Sequence, residues 1–244
     1  MRKNLRWILL GGAALVVMLC VGGMFATRAA EPMPQALDAL QSDSQVDVSN
    51  NSWLVFKPRS IEPTTGFIFY PGGLVDPRAY APIMHDIAAL GYLAVIVPMP
   101  LNLAFFGSDR AQEVIRAYPA IKHWAMGGHS LGGVAAAMFV KSHPDAIQGI
   151  AFWASYPADS MVDYTGMVVS ISGSRDGLST PDKINESVAL LPAATQWYQI
   201  QGGNHGQFGW YGLQSGDGVA TIPREAQHKE ILTATMRLLS RLGN

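Results

Sequence analysis

The sequence predicts an α/β protein built on one mostly parallel sheet with helices on both faces. Three observations lead there. Short, continuously apolar runs alternate with segments whose apolar residues recur at helical spacing, the pattern of strands buried on both sides. Glycine, proline and short polar clusters mark most of the boundaries between them. The chain has 244 residues, 49% hydrophobic and 14% charged, which suits one domain with a sizeable core and argues against disorder.

Val46 to Phe56 holds two extended runs around Asn50-Asn51, a predicted hairpin that gives the sheet an antiparallel edge. Gly66 to Tyr70 is a buried strand that stops at Pro71-Gly72-Gly73. Asp76-Pro77 supplies an N-cap and a first-turn proline, and Tyr80, Ile83, Met84, Ile87 and Leu90 follow at helical spacing up to Gly91. Tyr92 to Val97 is the next strand, closed by Pro98 and Pro100. Ser108 is expected to open a helix whose apolar face is Ala111, Val114, Ile115 and Tyr118.

His123 to Gly128 reads as a strand, Leu131 to Ser142 as a helix, and Gly149 to Ala154 and Met167 to Ser172 as strands. Thr180-Pro181 caps a helix carrying Ile184, Val188 and Leu191. Gln196 to Ile200 is the last strand, and a helix with Ile231, Leu232, Leu238 and Leu239 closes the chain. In such sheets, sites gather beyond the carboxyl ends of the strands.

The strand from His123 runs into Gly128-His129-Ser130-Leu131-Gly132-Gly133 and then into an apolar helix. A serine in so sharp a turn needs neighbours nearly free of side chain two positions either side, which Gly128 and Gly132 provide. A serine hydroxyl is a weak nucleophile and needs a base oriented by a third group. Of the six histidines, His85, His143 and His228 are expected at the surface, His123 begins a strand, and His129 should turn away from the serine. His205, in the glycine-rich loop after the last strand, is the candidate base. Asp176, in the turn after Met167–Ser172, is the candidate acid, ahead of Asp159 and Asp163; Asp217 follows His205 and breaks the Ser, Asp, His order.

Acyl transfer also needs two donors for the oxyanion. The backbone N–H of Leu131 is one candidate, and that of Gly73 or Leu74 the other. Gly72, His129, Asn102, Phe105, Phe208 and Trp210 are candidate pocket residues. Phe106 lies with them, and the Gly- and aromatic-rich stretch 208–217 reads equally as a pocket wall or a packed loop.

Together, Tyr70-Pro-Gly-Gly73, Gly128-His-Ser-Leu-Gly-Gly133, Ser172-Gly-Ser-Arg-Asp-Gly177 and Gly203-Asn-His-Gly-Gln-Phe208 resemble the α/β-hydrolase superfamily. Small lid-less serine esterases and the dienelactone-hydrolase branch are the nearest in pattern. The resemblance covers residues 46–244 and implies an esterase, thioesterase or lipase-like activity on a small-molecule ester, with no cofactor and no metal. The serine departs from the best-known dienelactone hydrolases, which use cysteine at the elbow. No insertion is long enough for a large cap domain. Acyl transfer to another acceptor, peptidase activity, and a non-catalytic tethered binding domain are the alternatives the sequence leaves open.

The only cysteine is Cys20, so the body has no thiol for a disulfide, a nucleophile or a zinc site. All 18 acidic residues fall from Glu31 onward, against 13 of the 17 basic ones. A mildly acidic body without a basic run argues against nucleic acid as a partner. Ahead of it, Trp7 to Phe25 is a run of 19 residues without charge, following Met-Arg-Lys-Asn-Leu-Arg. Residues 1–30 therefore read as a signal anchor or a signal peptide. Signal cores run about 7–15 residues and membrane spans about 20, which favours the anchor. Thr27 and Ala29 at the −3 and −1 positions keep cleavage open. The positive-inside rule places the body outside the cytoplasm, tethered by residues 7–25 or released after cleavage. Residues 31–45 are expected to form a polar linker.

Overall fold

A computed structural model of the chain describes residues 28–242. The apolar run 7–25 lies outside the described residues, and among these no helix is long and apolar enough to cross a membrane. The strands are β1 (Val46–Asn50), β2 (Leu54–Pro58), β3 (Thr65–Tyr70), β4 (Leu93–Ile96), β5 (His123–His129), β6 (Gly149–Trp153), β7 (Met167–Gly173) and β8 (Gln196–Ile200). They form one sheet in the order β1-β2-β4-β3-β5-β6-β7-β8. The pairs β1–β2 and β2–β4 are antiparallel, and every pair from β4–β3 to β7–β8 is parallel. The predicted hairpin is therefore the antiparallel edge of a parallel sheet.

The helices are α1 (Pro34–Asp38), α2 (Ala81–Ala89), α3 (Ala111–Ala117), α4 (Leu131–Ser142), α5 (Pro181–Glu186) and α6 (Arg224–Leu239). Alternation within the central strands divides the core in two. Phe67 and Phe69 point to the face covered by Ile83, Met84 and Ile87 of α2 and by Ile231 and Leu238 of α6. Ile68 and Tyr70 point to the face covered by Ala111 and Val114 of α3 and by Ala136, Phe139 and Val140 of α4. A strand buried on both sides has no polar position to spare, which is why these runs lack the usual polar alternation.

Three elements differ from expectation. Ser108 does not open a helix; a 3-10 segment, Ala104–Arg110, leads into α3. Tyr70 Oη explains the delayed start, donating to the Ser108 carbonyl at 2.6 Å and accepting from the Ala111 N–H at 2.8 Å. The helix capped by Thr180 ends at Glu186 and tightens to 3-10 over Ser187–Leu190, leaving Val188 exposed.

Residues 31–45 are not a free tether. The Ala30 N–H donates to the Leu74 carbonyl at 2.7 Å, and the Met33 N–H to the Trp210 carbonyl at 2.8 Å. Ala36 of α1 is fully buried. Asp43 accepts from the Gln45 and Val46 N–H groups, both at 2.8 Å, and so leads the chain into β1.

An aromatic group binds β3, β6 and α6 together. Trp153 lies 4.5 Å from Phe69 between ring centroids, and its indole N–H donates to Thr235 Oγ1 at 3.2 Å. Trp153→Ala is expected to cost about 3–5 kcal/mol through the cavity and the orphaned Thr235 hydroxyl. A melting temperature lowered by roughly 10 °C in calorimetry would register it.

Candidate active site

Ser130 follows β5 and precedes the first residue of α4, with φ 51° and ψ −122°. The turn leaves no room beside it. A Cβ on Gly128 would lie 2.3 Å from the Gly132 carbonyl carbon, and one on Gly132 would lie 2.1 Å from the Tyr70 carbonyl oxygen. The Ser130 backbone is held on both sides: its N–H donates to the Trp153 carbonyl at 3.0 Å, and its own carbonyl accepts from Ser155 Oγ at 2.6 Å. A left-handed, non-glycine residue persists only where its surroundings over-determine it, as these contacts do.

Asp176 and His205 come together from the loops after β7 and β8. Asp176 Oδ2 lies 2.8 Å from His205 Nδ1, with both side chains fully buried. The other oxygen, Oδ1, accepts from the Leu178 and Ser179 N–H groups, both at 2.8 Å, which aims the carboxylate at the imidazole. The His205 ring centroid is 4.4 Å from that of His129, so the imidazole sits against the elbow. His205 Nε2 is buried and has no hydrogen-bond partner, so Ser130 Oγ is not bonded to it in this structure.

In the loop after β3 the Gly73 and Leu74 N–H groups differ in their bonding. The Leu74 N–H donates to the Asn102 carbonyl at 2.8 Å, which corrects the expectation that it faces an oxyanion. The Gly72 N–H donates to Tyr80 Oη at 3.0 Å. The Gly73 and Leu131 N–H groups have no partner among the described residues. Gly73 packs against the Leu131 side chain, since a Cβ on Gly73 would stand 3.0 Å from Leu131 Cδ2. The first N–H groups of a helix lack intrahelical acceptors, so Leu131 is free for the reason any such residue is.

His129 turns into the core. Its Nδ1 is hydrogen-bonded to Tyr80 Oη at 2.8 Å, and the ring stacks on Phe208 at 11° between planes. Burial, helped by the nearby His205, holds its pKa well below the ordinary imidazole value. Neutral His129 is also what a charged His205 could tolerate at this distance. Tyr80 thus joins the loop after β3 (Gly72) to the elbow (His129), and burial pushes its phenol well above the usual tyrosine range.

Several pocket expectations fail. Phe208 and Tyr211 are almost fully buried, so the first part of the stretch 208–217 packs inward, while Gly212, Leu213, Gln214 and Asp217 line a surface cavity next to Gly206 and Gln207. Trp210 donates its indole N–H to His228 Nδ1 at 3.0 Å, and His228 Nε2 lies 2.7 Å from Asp86. His228 is therefore a partly buried link and not a free surface residue. Asn102 contributes its backbone carbonyl to the Leu74 contact, while Phe105 and Phe106 stand exposed.

Asp217 and Arg224 emerge as the supports of the His205 loop. Asp217 Oδ1 accepts from the His205, Gly177 and Gly218 N–H groups at 3.1, 3.2 and 2.8 Å, and Oδ2 from Gly206 at 2.8 Å. Arg224 donates to the carbonyls of Gly206, Gly209 and Tyr211. Its partial burial lowers its pKa from the ordinary arginine value. The signal in the sequence is an Asp and an Arg flanking a loop otherwise free of Asp, Glu, Lys and Arg from Gly203 to Pro223.

Asp217→Ala strips the acceptor from four N–H groups and is expected to cost about 2–3 kcal/mol, read as a lower denaturation midpoint. His129 gives a pH dependence. Its folded pKa is depressed, whereas the unfolded imidazole titrates around 6.5. Its contribution is therefore complete above that pH and falls as pH drops below it, by up to about 1.4 kcal/mol per pH unit. The melting temperature of the wild type is expected to fall more steeply from pH 7 to pH 5 than that of His129→Gln; equal slopes would refute this assignment.

Residues 66–229 match the model of the alpha/beta hydrolase family. No curated protein matches the chain. Among solved structures, a thermophilic esterase from the planctomycete Thermogutta terrifontis superposes with a TM-score of 0.58 at 13% identity, covering 82% of this chain and 92% of its own. Est1E from Butyrivibrio proteoclasticus, with ferulic acid bound, gives a TM-score of 0.60 at 11% identity, covering 83% of this chain and 99% of its own. A predicted CIB-like hydrolase from Thermoplasma acidophilum gives 0.56 at 13% identity, over 80% and 98% respectively. At these identities the structural likeness concerns the fold, and it agrees with the family match over the same strands and helices. The chain belongs to the alpha/beta hydrolase family.

Proposed function

We propose that the chain hydrolyses carboxylic esters or thioesters of small molecules by two-step acyl transfer, within a catalytic domain spanning residues 46–244. The observation that carries this reading is the buried Asp176–His205 pair, whose Nε2 is left without a partner beside the Ser130 elbow. An imidazole held by a carboxylate at Nδ1 keeps its acceptor lone pair on Nε2, the arrangement a general base requires.

The hydrogen bond from Ser130 Oγ to His205 Nε2 forms as substrate arrives, as is common in such sites. Ser130 Oγ then attacks the carbonyl carbon while His205 takes the hydroxyl proton. The N–H groups of Gly73 and Leu131 bond to the carbonyl oxygen as it becomes negative. Collapse breaks the ester C–O or thioester C–S bond, and His205 returns its proton to the departing alcohol or thiol. Water, deprotonated by the same imidazole, attacks the acyl-enzyme. The proton passes back to Ser130 as the carboxylic acid leaves. Throughout, Asp176 holds the ring and stabilises its charged form.

We also infer that residues 7–25 anchor the chain, or export it and are removed, with the body outside the cytoplasm. The basic residues ahead of the run and its length support that placement.

A fluorophosphonate probe is expected to label the purified protein at Ser130. Ser130→Ala should abolish labelling and lower kcat/KM toward p-nitrophenyl esters by at least about 1,000-fold, with an unchanged melting temperature. Asp176→Asn should lower kcat by a factor of about 100 or more through the wrong imidazole tautomer. Full activity in Ser130→Ala would overturn the proposal.

A further inference from the structure

The chain outside the described residues ends close to the candidate site. Ala30 is bonded on both sides to the Gly73-containing loop: its N–H donates to the Leu74 carbonyl at 2.7 Å, and its carbonyl accepts from the Asp76 N–H at 3.1 Å. Pro32 bridges to Tyr211 in the loop that carries His205. Residues 30–33 therefore lie between the two loops that flank the elbow. Only four residues lie between Phe25, the end of the uncharged run, and Ala30, five steps along the backbone. Fully extended, they reach about 17 Å. Wherever the run is placed, the mouth of the site is held within that distance of its end.

The same end of the sheet carries an apolar collar. Leu101, Phe105 and Phe106, in the loop after β4, are 61%, 52% and 63% exposed. Leu103 of that loop approaches Gly73, and Asn102 bonds to Leu74, so the collar is continuous with the site. Leu213, in the His205 loop, is 99% exposed. The segments 70–75, 97–108, 203–216 and 218–223 contain no Asp, Glu, Lys or Arg, whereas Arg59, Glu62, Lys122 and Asp145 lie at the opposite end of the strands. Charges flank the collar rather than enter it: Asp109 and Arg110 follow it directly, Arg110 donating to the Pro98 carbonyl, and farther off Arg28 pairs with Glu31 at 2.7 Å and Arg78 with Asp76 at 2.6 Å.

We propose that this end of the protein docks on the bilayer that holds residues 7–25, with Leu101, Phe105 and Phe106 inserted among the lipids and the mouth of the Ser130 site facing the membrane. The inference rests on the anchoring reading and is independent of the catalytic one. It makes the substrate an ester that partitions into the bilayer. The short connection leaves a surface beside the site no distant partner to meet, and exposed aromatic side chains at such a depth lose water-contacting apolar area on insertion. Because the inserted side chains carry no charge, the contact needs no anionic lipid and is insensitive to salt.

The test uses the full-length chain with Cys20→Ser, reconstituted in phosphatidylcholine vesicles. An environment-sensitive fluorophore is placed at Phe106→Cys or, as a control at the opposite end, at Lys122→Cys. Flotation first reports anchoring. Lipids with a nitroxide on the acyl chain are expected to quench the Phe106 probe at least twofold and leave the Lys122 probe unchanged, in low and high salt alike. Flotation with both probes unquenched would keep the anchor and overturn the docking. A Phe106 probe that is blue-shifted yet insensitive to the nitroxide would place protein, either residues 7–25 or a second copy, over the collar and also overturn it. Failure to float would remove both.

Discussion

Everything at the carboxyl end of the sheet is arranged around one steric constraint, the crossing of α4 over the end of β3. The closest approach is backbone against backbone: Gly132 meets the Tyr70 carbonyl with no space for a methyl group. That crossing puts the N-terminus of α4 beside the loop that begins at Pro71, where Gly73 packs against Leu131. It also forces Ser130 into a left-handed conformation that presents its hydroxyl away from the strand. The serine's position is therefore a consequence of packing two elements too close for side chains, and the strain it carries is held by Trp153 and Ser155 from the neighbouring strand.

The two other loops are built differently. The loop carrying His205 has only a 3-10 turn, Gly206–Phe208, to stiffen it, and the stretch from Gln201 to Pro223 includes seven glycines, a large entropic burden for a segment that holds a buried imidazole in place. Backbone groups supply the order. The Arg175 N–H donates to the Gly203 carbonyl at 2.8 Å, and the Gly202 N–H to Ser174 Oγ at 2.8 Å, so the loops carrying Asp176 and His205 are cross-linked independently of those two side chains. The Asp176–His205 bond is then formed between platforms already in register. A buried carboxylate with two backbone donors and an imidazole has most of its lost hydration replaced, which makes its full burial tolerable.

What the sequence revealed, and what it concealed, follows from the range of each interaction. The strands, the helices and the order Ser130, Asp176, His205 are legible because each depends on local pattern: buried runs, small residues around a turn, a turn after a strand. Leu74 is misread because its N–H partner is the carbonyl of Asn102. That contact exists only because Leu101 and Asn102 both adopt positive φ, which neither residue type advertises. Tyr80 reads as one more apolar position on a helix, since nothing in spacing tells that its hydroxyl bridges Gly72 and His129. Phe208 reads as a pocket residue from its nearness to His205, yet the stacked His129 ring draws it inward. Chain order sets Asp217 aside as the acid, while its bonding to four N–H groups depends on a loop conformation that no local pattern encodes.

Asp217 and Arg224 show why that concealed layer matters. Opposite charges separated by so few residues would ordinarily be expected to pair, but each spends its hydrogen bonds on backbone, the carboxylate on N–H groups and the guanidinium on carbonyls. Had they paired, the glycine-rich loop would have needed other donors and acceptors, and the only groups at hand are water. Water on that backbone would loosen the seat of His205 and hydrate the mouth of the site. Satisfying the loop from within instead leaves its outer face free of charge and lets Leu213 and its neighbours stand exposed without an accompanying ion. The order of the base and the apolar character of the surrounding surface thus have one physical origin, the internal neutralisation of a loop's backbone by two side chains that do not touch each other.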